Sequence, residues 1–296
     1  MLSQVLWFVV RTTPENIYHR SPERNLVSVP FAFLLIQLMR LLKTGFKSAY
    51  VNMAMDESVF RQLLVVPTLR LYQWSRPAFS FGYFQKINEI IDISACQKRK
   101  IELVRRITGG GTVIHSRDVT FSLTIPKGWG YLPDGISSAH QAISEYIVNG
   151  LNKIGVEAYC SKISAISKKL NICLINPVKY DVMINGKKVM GIAQRRSKNA
   201  TLYQGYLALD SPSEIIQPLI SREPKVARLL ANNSTELNSQ LTHSLSRNQV
   251  EKAILIGLKD GIGQDMIPSE LSTNETKSAF ELEKKYRSNQ WNFRDY

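Results

Sequence analysis

The dipeptide Asn185-Gly186 constrains the fold of this chain more than any other feature of its sequence. It separates two runs of apolar and β-branched residues, 180–184 and 188–194. Asparagine and glycine both accept the positive φ angles that a tight turn between antiparallel strands requires. The pattern therefore predicts a β-hairpin, and a third run at 201–209 predicts that the hairpin continues into a meander.

Further strands are predicted on the N-terminal side of this hairpin. Short runs rich in aromatic and β-branched residues, bounded by proline, glycine or polar residues, lie at 68–74, 79–83, 101–106 and 119–125.

Helices are predicted between the strands, over 49–64, after Ser138, after Ser246 and over 274–286, because apolar residues recur there at helical spacing. Ser138 with Gln141, and Ser246 with Gln249, fit the capping box of a helix start, and Gly155 and Gly261 are suited to end these two helices. Strands in hairpins with helices between them predict an α+β domain, with a mixed, largely antiparallel sheet flanked by helices.

The composition limits the class of protein. With 44% hydrophobic and 21% charged residues, the 296-residue chain is typical of a folded protein and excludes a disordered or collagen-like chain. Lysine and arginine exceed aspartate and glutamate by 38 − 24 = 14, which favours anionic partners. The longest apolar stretch, 29–38, contains a proline and a glutamine and is shorter than the roughly 20 residues of a membrane-spanning helix. No membrane partner is therefore expected.

Three cysteines, none of them in a CxxC pair, exclude a disulfide framework and argue against a zinc site. A reducing compartment, the cytoplasm, fits this cysteine content best, and no metal site is predicted.

The first part of the chain differs from the rest. Residues 1–38 alternate apolar pieces with a polar stretch, and Glu15 and Glu23 do not suit a transit peptide. We expect 1–38 to be a flexible extension or the result of a misplaced start codon, and 39–296 to form one catalytic domain without a separate accessory domain.

Asp56 lies on the apolar stripe of the first predicted helix. An acid that faces a core needs a partner, so a buried hydrogen-bonding anchor is favoured over a catalytic carboxylate.

The segment from Arg105 to His115 contains three consecutive glycines, Gly109, Gly110 and Gly111. Glycines are entropically costly to order, which suggests a backbone that passes close to a ligand and offers its amides. The segment has the pattern of neither a P-loop nor a dinucleotide fingerprint. Arg105 and Arg106 could hold a carboxylate or phosphate in a bidentate manner. A ligand-binding loop and a plain flexible turn both remain open from the pattern alone.

Three other side chains could take part in chemistry. Lys188 begins a strand of small and apolar residues, where lysines are usually solvated. Cys173 is either a small buried hydrophobe or a nucleophile. His115 is either a base or a polar loop residue.

Four segments, taken together, favour the functional interpretation of these residues. They read NMAMDE (52–57), LYQWSRPAFSFGYFQ (71–85), RRITGGGTVIH (105–115) and GKKVMGIAQRR (186–196). In this order they resemble the lipoate-protein ligase and octanoyltransferase family, which shares its fold with biotin-protein ligases. The similarity extends from about Arg40 to Lys285-Tyr286 and 290–292, and it implies a single catalytic domain of this fold.

The resemblance also implies roles for individual residues. The position of Lys188 contacts the acyl carbonyl or acyl phosphate. A loop of Arg106, Thr108 and the three glycines, together with His115, lines the acyl pocket, and Ala193 is a small residue beside it. The histidine that usually precedes the glycine of the next strand is Gln204 in this chain, which can donate a hydrogen bond but carries no charge.

Within the family, ligases use ATP and Mg to activate lipoate, whereas transferases pass an octanoyl group through a cysteine thioester without a cofactor. The sequence CLINP (173–177), with Lys188 fifteen positions after Cys173, resembles the cysteine-dependent octanoyltransferases. The chain also ends where the catalytic domain should. Both points favour transfer, with ATP-dependent lipoate-protein ligation as the alternative.

The transferase interpretation implies two protein partners. Octanoyl-acyl carrier protein is the donor, and the acceptor is a lysine on a lipoyl domain of a 2-oxoacid dehydrogenase or on the glycine cleavage H protein. An amidotransferase acting between two lipoyl domains is a variant with the same cysteine chemistry. A nucleic-acid-binding module is disfavoured because we find no helix-turn-helix, zinc-finger or aromatic-basic sheet motif, and a dead acyl-binding relative is disfavoured because Cys173 and Lys188 are both present.

Overall fold

The structure is a computed structural model that describes residues 38–63, 65–163, 177–212 and 224–294, with side chains omitted at 224–227 and 231. All of these residues belong to the unit Leu35–Tyr296. The predicted extension, 1–38, lies outside the described residues except for Leu38, and its character stays a prediction. The first described strand begins at Leu38, one residue before the predicted start of the domain.

The described strands follow the predicted series and add to it. In chain order they are β1 (Leu38–Lys47), β2 (Thr68–Trp74), β3 (Ala78–Phe81), β4 (Glu102–Arg105), β5 (Val113–His115), β6 (Asp118–Pro126), β7 (Tyr159–Cys160), β8 (Val182–Ile184), β9 (Lys187–Arg196), β10 (Ala200–Ala208) and β11 (Asp265–Ser269).

These strands form two sheets. The larger has the order β11-β1-β2-β6-β10-β9-β8-β7, and the smaller has the order β4-β3-β5. Parallel pairing joins β1 to β2 and to β11, and β3 to β4, while the other neighbours are antiparallel. The predicted mixed, largely antiparallel sheet is therefore confirmed. The hairpin of β8 and β9 turns at Asn185 and Gly186, whose φ angles are 49° and 78°.

The helices pack against the two sheets and against one another, with α1 against α6 and α3 against α5. They are α1 (Ala49–Gln62), α2 (Ile93–Lys98), α3 (Ile136–Asn152), α4 (Pro224–Asn233), α5 (Arg247–Ile262), α6 (Thr273–Arg287) and α7 (Asn289–Asn292). The largest described core cluster joins the apolar residues of α3 and α5 to those of β6, β9 and β10.

Glycines allow α3 and α5 to approach closely. A methyl group at Gly150 would lie 2.0 Å from the carbonyl oxygen of Ala253, and one at Gly257 would lie 2.1 Å from that of Tyr146. Gly261 faces the Tyr146 ring in the same way. The prediction that Gly261 ends the helix is wrong, since Gly263 takes the left-handed cap position with φ 71°.

Of the two predictions about where helices begin, one is confirmed and one is wrong. The capping box of Ser246 and Gln249 is present at the start of α5. The corresponding prediction for α3 is wrong, because that helix begins one turn earlier, after Gly135, and makes no side-chain cap hydrogen bond. Ser138 lies inside the first turn, and Gln141 instead donates to Glu145.

Candidate active site

A partly open cavity lies between the two sheets and the glycine-rich loop. The described residues that line it come mainly from β2, β9 and β10 and from the segment 106–120. They are Met53, Tyr72, Trp74, Ser80, Arg106, Gly110, Val113, His115, Thr120, Gly191, Ile192, Ala193, Gln204, Gly205 and Tyr206. Most of these side chains are apolar or aromatic, which suits an aliphatic ligand.

Arg106 holds the glycine-rich loop in shape. Its Nη2 donates to the carbonyl oxygens of Gly109 and Gly111 at 2.8 and 2.7 Å, and its Nη1 donates to the carbonyl oxygen of Ser80 at 2.9 Å. Gly110 has a φ of 85°, and its carbonyl oxygen would lie 1.9 Å from a methyl group at Gly82. The loop is therefore a closely packed element, and its conformation requires glycine at positions 82 and 110.

The prediction that both arginines could hold a carboxylate or phosphate is not supported for these two side chains. Every nitrogen of the Arg105 and Arg106 guanidinium groups donates to a carbonyl or hydroxyl oxygen of the chain itself. Both side chains are buried. An arginine buried in this way stabilises backbone carbonyls, because each of its donors already has an acceptor.

Gln204 links the glycine-rich loop to the first helix. Its Oε1 accepts from Thr108 Oγ1 at 2.7 Å, and its Nε2 donates to Asp56 Oδ2 at 2.7 Å. Asp56 also accepts from Arg70, Tyr72 and Ser122. The interpretation of Asp56 as a buried hydrogen-bonding anchor is therefore confirmed. A neutral glutamine suits this position because the adjacent carboxylate is already paired with Arg70.

His115 lies in the wall of the cavity and is buried. Its Nδ1 is 2.7 Å from Asp118 Oδ2, its Nε2 is 2.8 Å from Ser80 Oγ, and its ring stacks on Trp74 with centroids 3.9 Å apart. Burial raises the pKa of Asp118, but His115 and the Thr120 hydroxyl outweigh this effect and lower it below its usual value. The carboxylate fixes the orientation of the imidazole ring.

Lys188 is fully buried and paired with Asp181. Its Nζ lies 2.7 Å from Asp181 Oδ2, which also accepts from the amide of Val178 at 2.7 Å. A methyl group at Gly191, a residue of the cavity wall, would lie 2.9 Å from both Cε and Nζ of Lys188. The absence of a side chain at position 191 therefore leaves room for the ammonium group immediately behind the wall.

Two acceptor atoms near this ion pair have no hydrogen-bond donor among the described residues. They are Asp181 Oδ1 and His140 Nε2. Burial lowers the pKa of His140, Asp181 raises it and Lys188 lowers it, and the net shift is downward. His140 therefore stays neutral at neutral pH.

Arg105 joins the C-terminal segment to the loop after β3. Its guanidinium donates to the carbonyl oxygens of Tyr83 and Gln85 on one side and to those of Trp291 and Asn292 on the other. In addition, the Arg105 amide donates to Asn292 Oδ1 at 2.8 Å.

Gln85 connects Arg105 to the glycine-rich loop. The side-chain oxygen of Gln85 accepts from the Gly82 amide at 2.8 Å and from Thr112 Oγ1 at 3.1 Å.

The predicted site residues that the structure describes come together. Arg106, Gly110, His115, Ala193 and Gln204 line the cavity, while Thr108, Gly109 and Gly111 bond to Arg106 or Gln204 just behind it. The expectation of a solvated lysine at a strand start is wrong for Lys188. Cys173 lies outside the described residues, and its role stays a prediction.

Several residues of the site were not predicted, although parts of their signal were present. Tyr72 with Trp74 and Gly191 with Ala193 are pairs two positions apart on their strands, and such pairs face the same side of a sheet. The role of Asp181 could not be predicted from its neighbours in sequence, because its partner Lys188 lies on the other side of the hairpin turn.

The described residues contain no group of three or more histidine, cysteine, aspartate or glutamate side chains arranged to hold a metal ion. Within the same part of the chain, no helix has the length and apolar character needed to cross a membrane.

Comparison with known proteins places this site in a family. The octanoyltransferase LipM of Kyrpidia tusciae is 33% identical over 276 residues, which cover 88% of this chain and all of the relative. The octanoyltransferase LipM of Bacillus subtilis is 29% identical over 271 residues and matches 86% of this chain and 98% of its own length.

Solved structures give the same result for the fold. Protein Ta0514 of T. acidophilum, with bound lipoic acid, superposes with a TM-score of 0.73 at 25% identity, and a lipoate-protein ligase A bound with ATP superposes with a TM-score of 0.74 at 25% identity. Both comparisons cover 86% of this chain and 98% of the other. The family profile described as the lipoyl protein ligase A/B catalytic domain matches residues 48–259. The chain belongs to this family.

Proposed function

We propose that this protein is an octanoyltransferase of protein lipoylation. The observation that carries the proposal is the buried ammonium of Lys188, held by Asp181 directly behind the wall of an apolar cavity. Relatives of nearly the same length are octanoyltransferases. In this proposal the donor is octanoyl-acyl carrier protein, and the acceptor is a lysine of a lipoyl domain or of the H protein.

The reaction proceeds in two acyl transfers in this proposal. The thiolate of Cys173 attacks the octanoyl thioester, an exchange between thioesters that preserves the activation of the acyl group and needs no ATP. The acceptor lysine then attacks the acyl-enzyme and forms an amide. The Lys188 cation stabilises the oxyanion that develops in each transfer, and the apolar cavity contributes about 0.8 kcal/mol for each methylene that it buries.

The experiment that tests this proposal measures the intact mass of the protein after incubation with octanoyl-acyl carrier protein without ATP. We expect a covalent octanoyl adduct in the wild type and none in Cys173→Ala. Cys96→Ala is the control, because Cys96 is buried in a separate core cluster and burial raises the pKa of its thiol to about 12. An adduct that persists in Cys173→Ala would contradict the proposal.

Lipoate-protein ligation is the second candidate, favoured by the structural similarity to a ligase bound with ATP. It predicts that modification of a lipoyl domain depends strictly on ATP and free lipoate or octanoate. Cys173→Ala would then retain full activity.

The cytoplasm, a reducing compartment, suits the transferase because its thiol must remain reduced.

A further inference from the structure

Asp181 is a buried carboxylate that the two transfers described above do not yet use. Its side chain is 1% exposed, and its Oδ2 binds Lys188 Nζ and the amide of Val178. Its Oδ1 has no hydrogen-bond donor among the described residues. A buried carboxylate oxygen without a donor costs stability, and such atoms in native proteins often have a functional reason.

The orientation of this oxygen is toward the cavity wall. Asp181 Oδ1 lies 3.3 Å from the position that a methyl group on Gly191 would take, and Gly191 lines the cavity. Gly191, with the Lys188 ammonium beside it, lies between the oxygen and the space in which the acyl group is proposed to bind. Any larger residue at position 191 would close this approach.

The second transfer requires an acceptor for a proton. When the neutral amine of the acceptor lysine attacks the thioester carbonyl, a nitrogen–carbon bond forms, the carbon–sulfur bond breaks, and the nitrogen must lose a proton. Lys188 cannot take that proton while it is a cation, because an ammonium group has donors and no acceptor.

We propose that Asp181 is a catalytic residue of the second transfer, with its Oδ1 as the acceptor of the amine proton. This inference rests on the proposed function. The proton moves from the attacking nitrogen to Oδ1 and is later released to water, while the electron pair of the broken carbon–sulfur bond leaves with the thiolate, so that the carboxylate and the thiolate are both restored. Oδ2 keeps Lys188 in place throughout, so one carboxylate serves both the cation and the amine.

Other titratable groups face Asp181 and must be considered in the test. Lys188 is its ion-pair partner, and the charge of Asp181 raises the pKa of His140 against the larger lowering by burial. The pKa of the Cys160 thiol is about 11, raised by burial first and then by Glu145 and Asp181. His140 Nε2 is the competing acceptor, because it also lacks a hydrogen-bond donor among the described residues.

The test separates the two transfers. The acyl-enzyme is first formed with octanoyl-acyl carrier protein and isolated, and its discharge is then followed by intact mass with either a lipoyl domain or hydroxylamine. We expect Asp181→Asn to form the acyl-enzyme but to discharge to the lipoyl domain about 100-fold or more slowly, in the range typical of lost general-base catalysis. Hydroxylamine is a small, weakly basic amine, so the ammonium that it forms on attack loses its proton directly to water, and it should discharge wild type and variant at similar rates.

His140→Gln is the matched comparison, and we expect it to discharge to the lipoyl domain at nearly the wild-type rate. The inference is overturned if His140→Gln is the slow variant, if Asp181→Asn discharges normally, or if Asp181→Asn is folded yet forms no acyl-enzyme. A wild type that forms no acyl-enzyme overturns the proposed function instead, and the inference falls with it.

Two further measurements keep the inference testable if Asp181→Asn does not fold. In the wild type, deuterium oxide should slow discharge to the lipoyl domain, because a proton is in transfer during the attack. In Asp181→Ala, added formate should restore discharge to lysine, because it supplies a small carboxylate in the vacated space. No solvent isotope effect in the wild type would contradict proton transfer in the attack step.

Discussion

Lys188 carries its charge where solvent does not reach it. A buried ammonium is tolerated only with a close counter-charge, and Asp181 supplies one at 2.7 Å. The lysine also needs space, which the missing side chain of Gly191 provides. The position of the ammonium group thus depends on two other residues, one beyond the hairpin turn and one three positions along the same strand.

Gly191→Ala tests this dependence on space. The added methyl group would meet the end of a flexible lysine side chain, so we expect the ammonium to shift while the fold remains. Formation of the acyl-enzyme should fall about 100-fold, the scale of losing one group that stabilises an oxyanion. Stopped acylation reactions analysed by intact mass measure this rate.

Gly205→Ala is the comparison variant. Its methyl group would lie 2.2 Å from the ring of Phe121, a rigid group in the core, so the melting temperature should fall. An unchanged acylation rate in Gly191→Ala, or a fall in its melting temperature as large as that of Gly205→Ala, would contradict the explanation.

For individual residues, the sequence predicted which ones belong to the site but not which groups they contact. The motif resemblance placed Lys188, Ala193 and the glycine-rich loop at one site, and the structure brings them to one cavity. Local pattern alone favoured a solvated Lys188, which was wrong, and left open whether the two arginines bind a ligand. The partners of Lys188 and Arg105, which are Asp181 and the carbonyl oxygens of 82–85 and 291–294, are set by tertiary contacts that no local pattern contains.

At the scale of elements, the short helix α7 and the residues after it hold the loop that follows β3. Asn292 accepts from the Arg105 amide and donates to the carbonyl oxygen of Tyr286. Trp291 Nε1 donates to the carbonyl oxygen of Arg105 at 2.8 Å. This segment lies outside residues 48–259, which match the family profile, yet it supports the loop after β3, which is hydrogen-bonded through Gln85 to the glycine-rich loop.

Asn292→Ala should therefore loosen the site from a distance. It leaves the buried Arg105 amide without an acceptor, which costs about 1–3 kcal/mol. Hydrogen exchange should increase in 82–85 and 108–112, and denaturant unfolding should show the loss of stability.

Asn289→Ala is the control on the same helix, because Asn289 is exposed. Equal exchange in the glycine-rich loop of both variants would show that α7 does not support it.

Elements with a strong local signal were predicted well. The Asn-Gly hairpin, the strand β2 and the capped helix α5 follow from residues adjacent in sequence. The strands β1 and β11 were missed, because parallel neighbours are joined by crossover connections instead of tight turns and leave no turn signature.

At the scale of the whole molecule, a bidentate ion pair joins the start of the domain to its end. Arg40 on β1 donates to both carboxylate oxygens of Glu275 on α6 at 2.8 Å. Burial raises the pKa of Glu275, but Arg40 and Ser272 outweigh it, so that the pKa lies below its usual value. The carboxylate therefore stabilises the fold at neutral pH.

Acidification should remove this contribution. Because the folded-state pKa of Glu275 is lowered, its stabilisation is present above the unfolded value of about 4.3 and is lost as the pH falls through the folded value. We expect Glu275→Gln to reduce the free energy of unfolding by about 2 kcal/mol at pH 7, with a smaller difference from wild type below pH 4. Urea unfolding at both pH values measures this.

Glu283→Gln, in an exposed pair with Arg287 on the same helix, is the control and should change stability by less than about 1 kcal/mol. A difference between Glu275→Gln and wild type that does not shrink at low pH would contradict the assignment.

The contact between Arg105 and the segment 291–294 has a consequence for biosynthesis. During translation, the glycine-rich loop emerges from the ribosome long before the carbonyl groups that fix it. A nascent or prematurely terminated chain that lacks Trp291 and Asn292 would leave the buried Arg105 without three of its hydrogen-bond acceptors. The support of the loop after β3 is therefore completed only after these late residues have been synthesised and have docked.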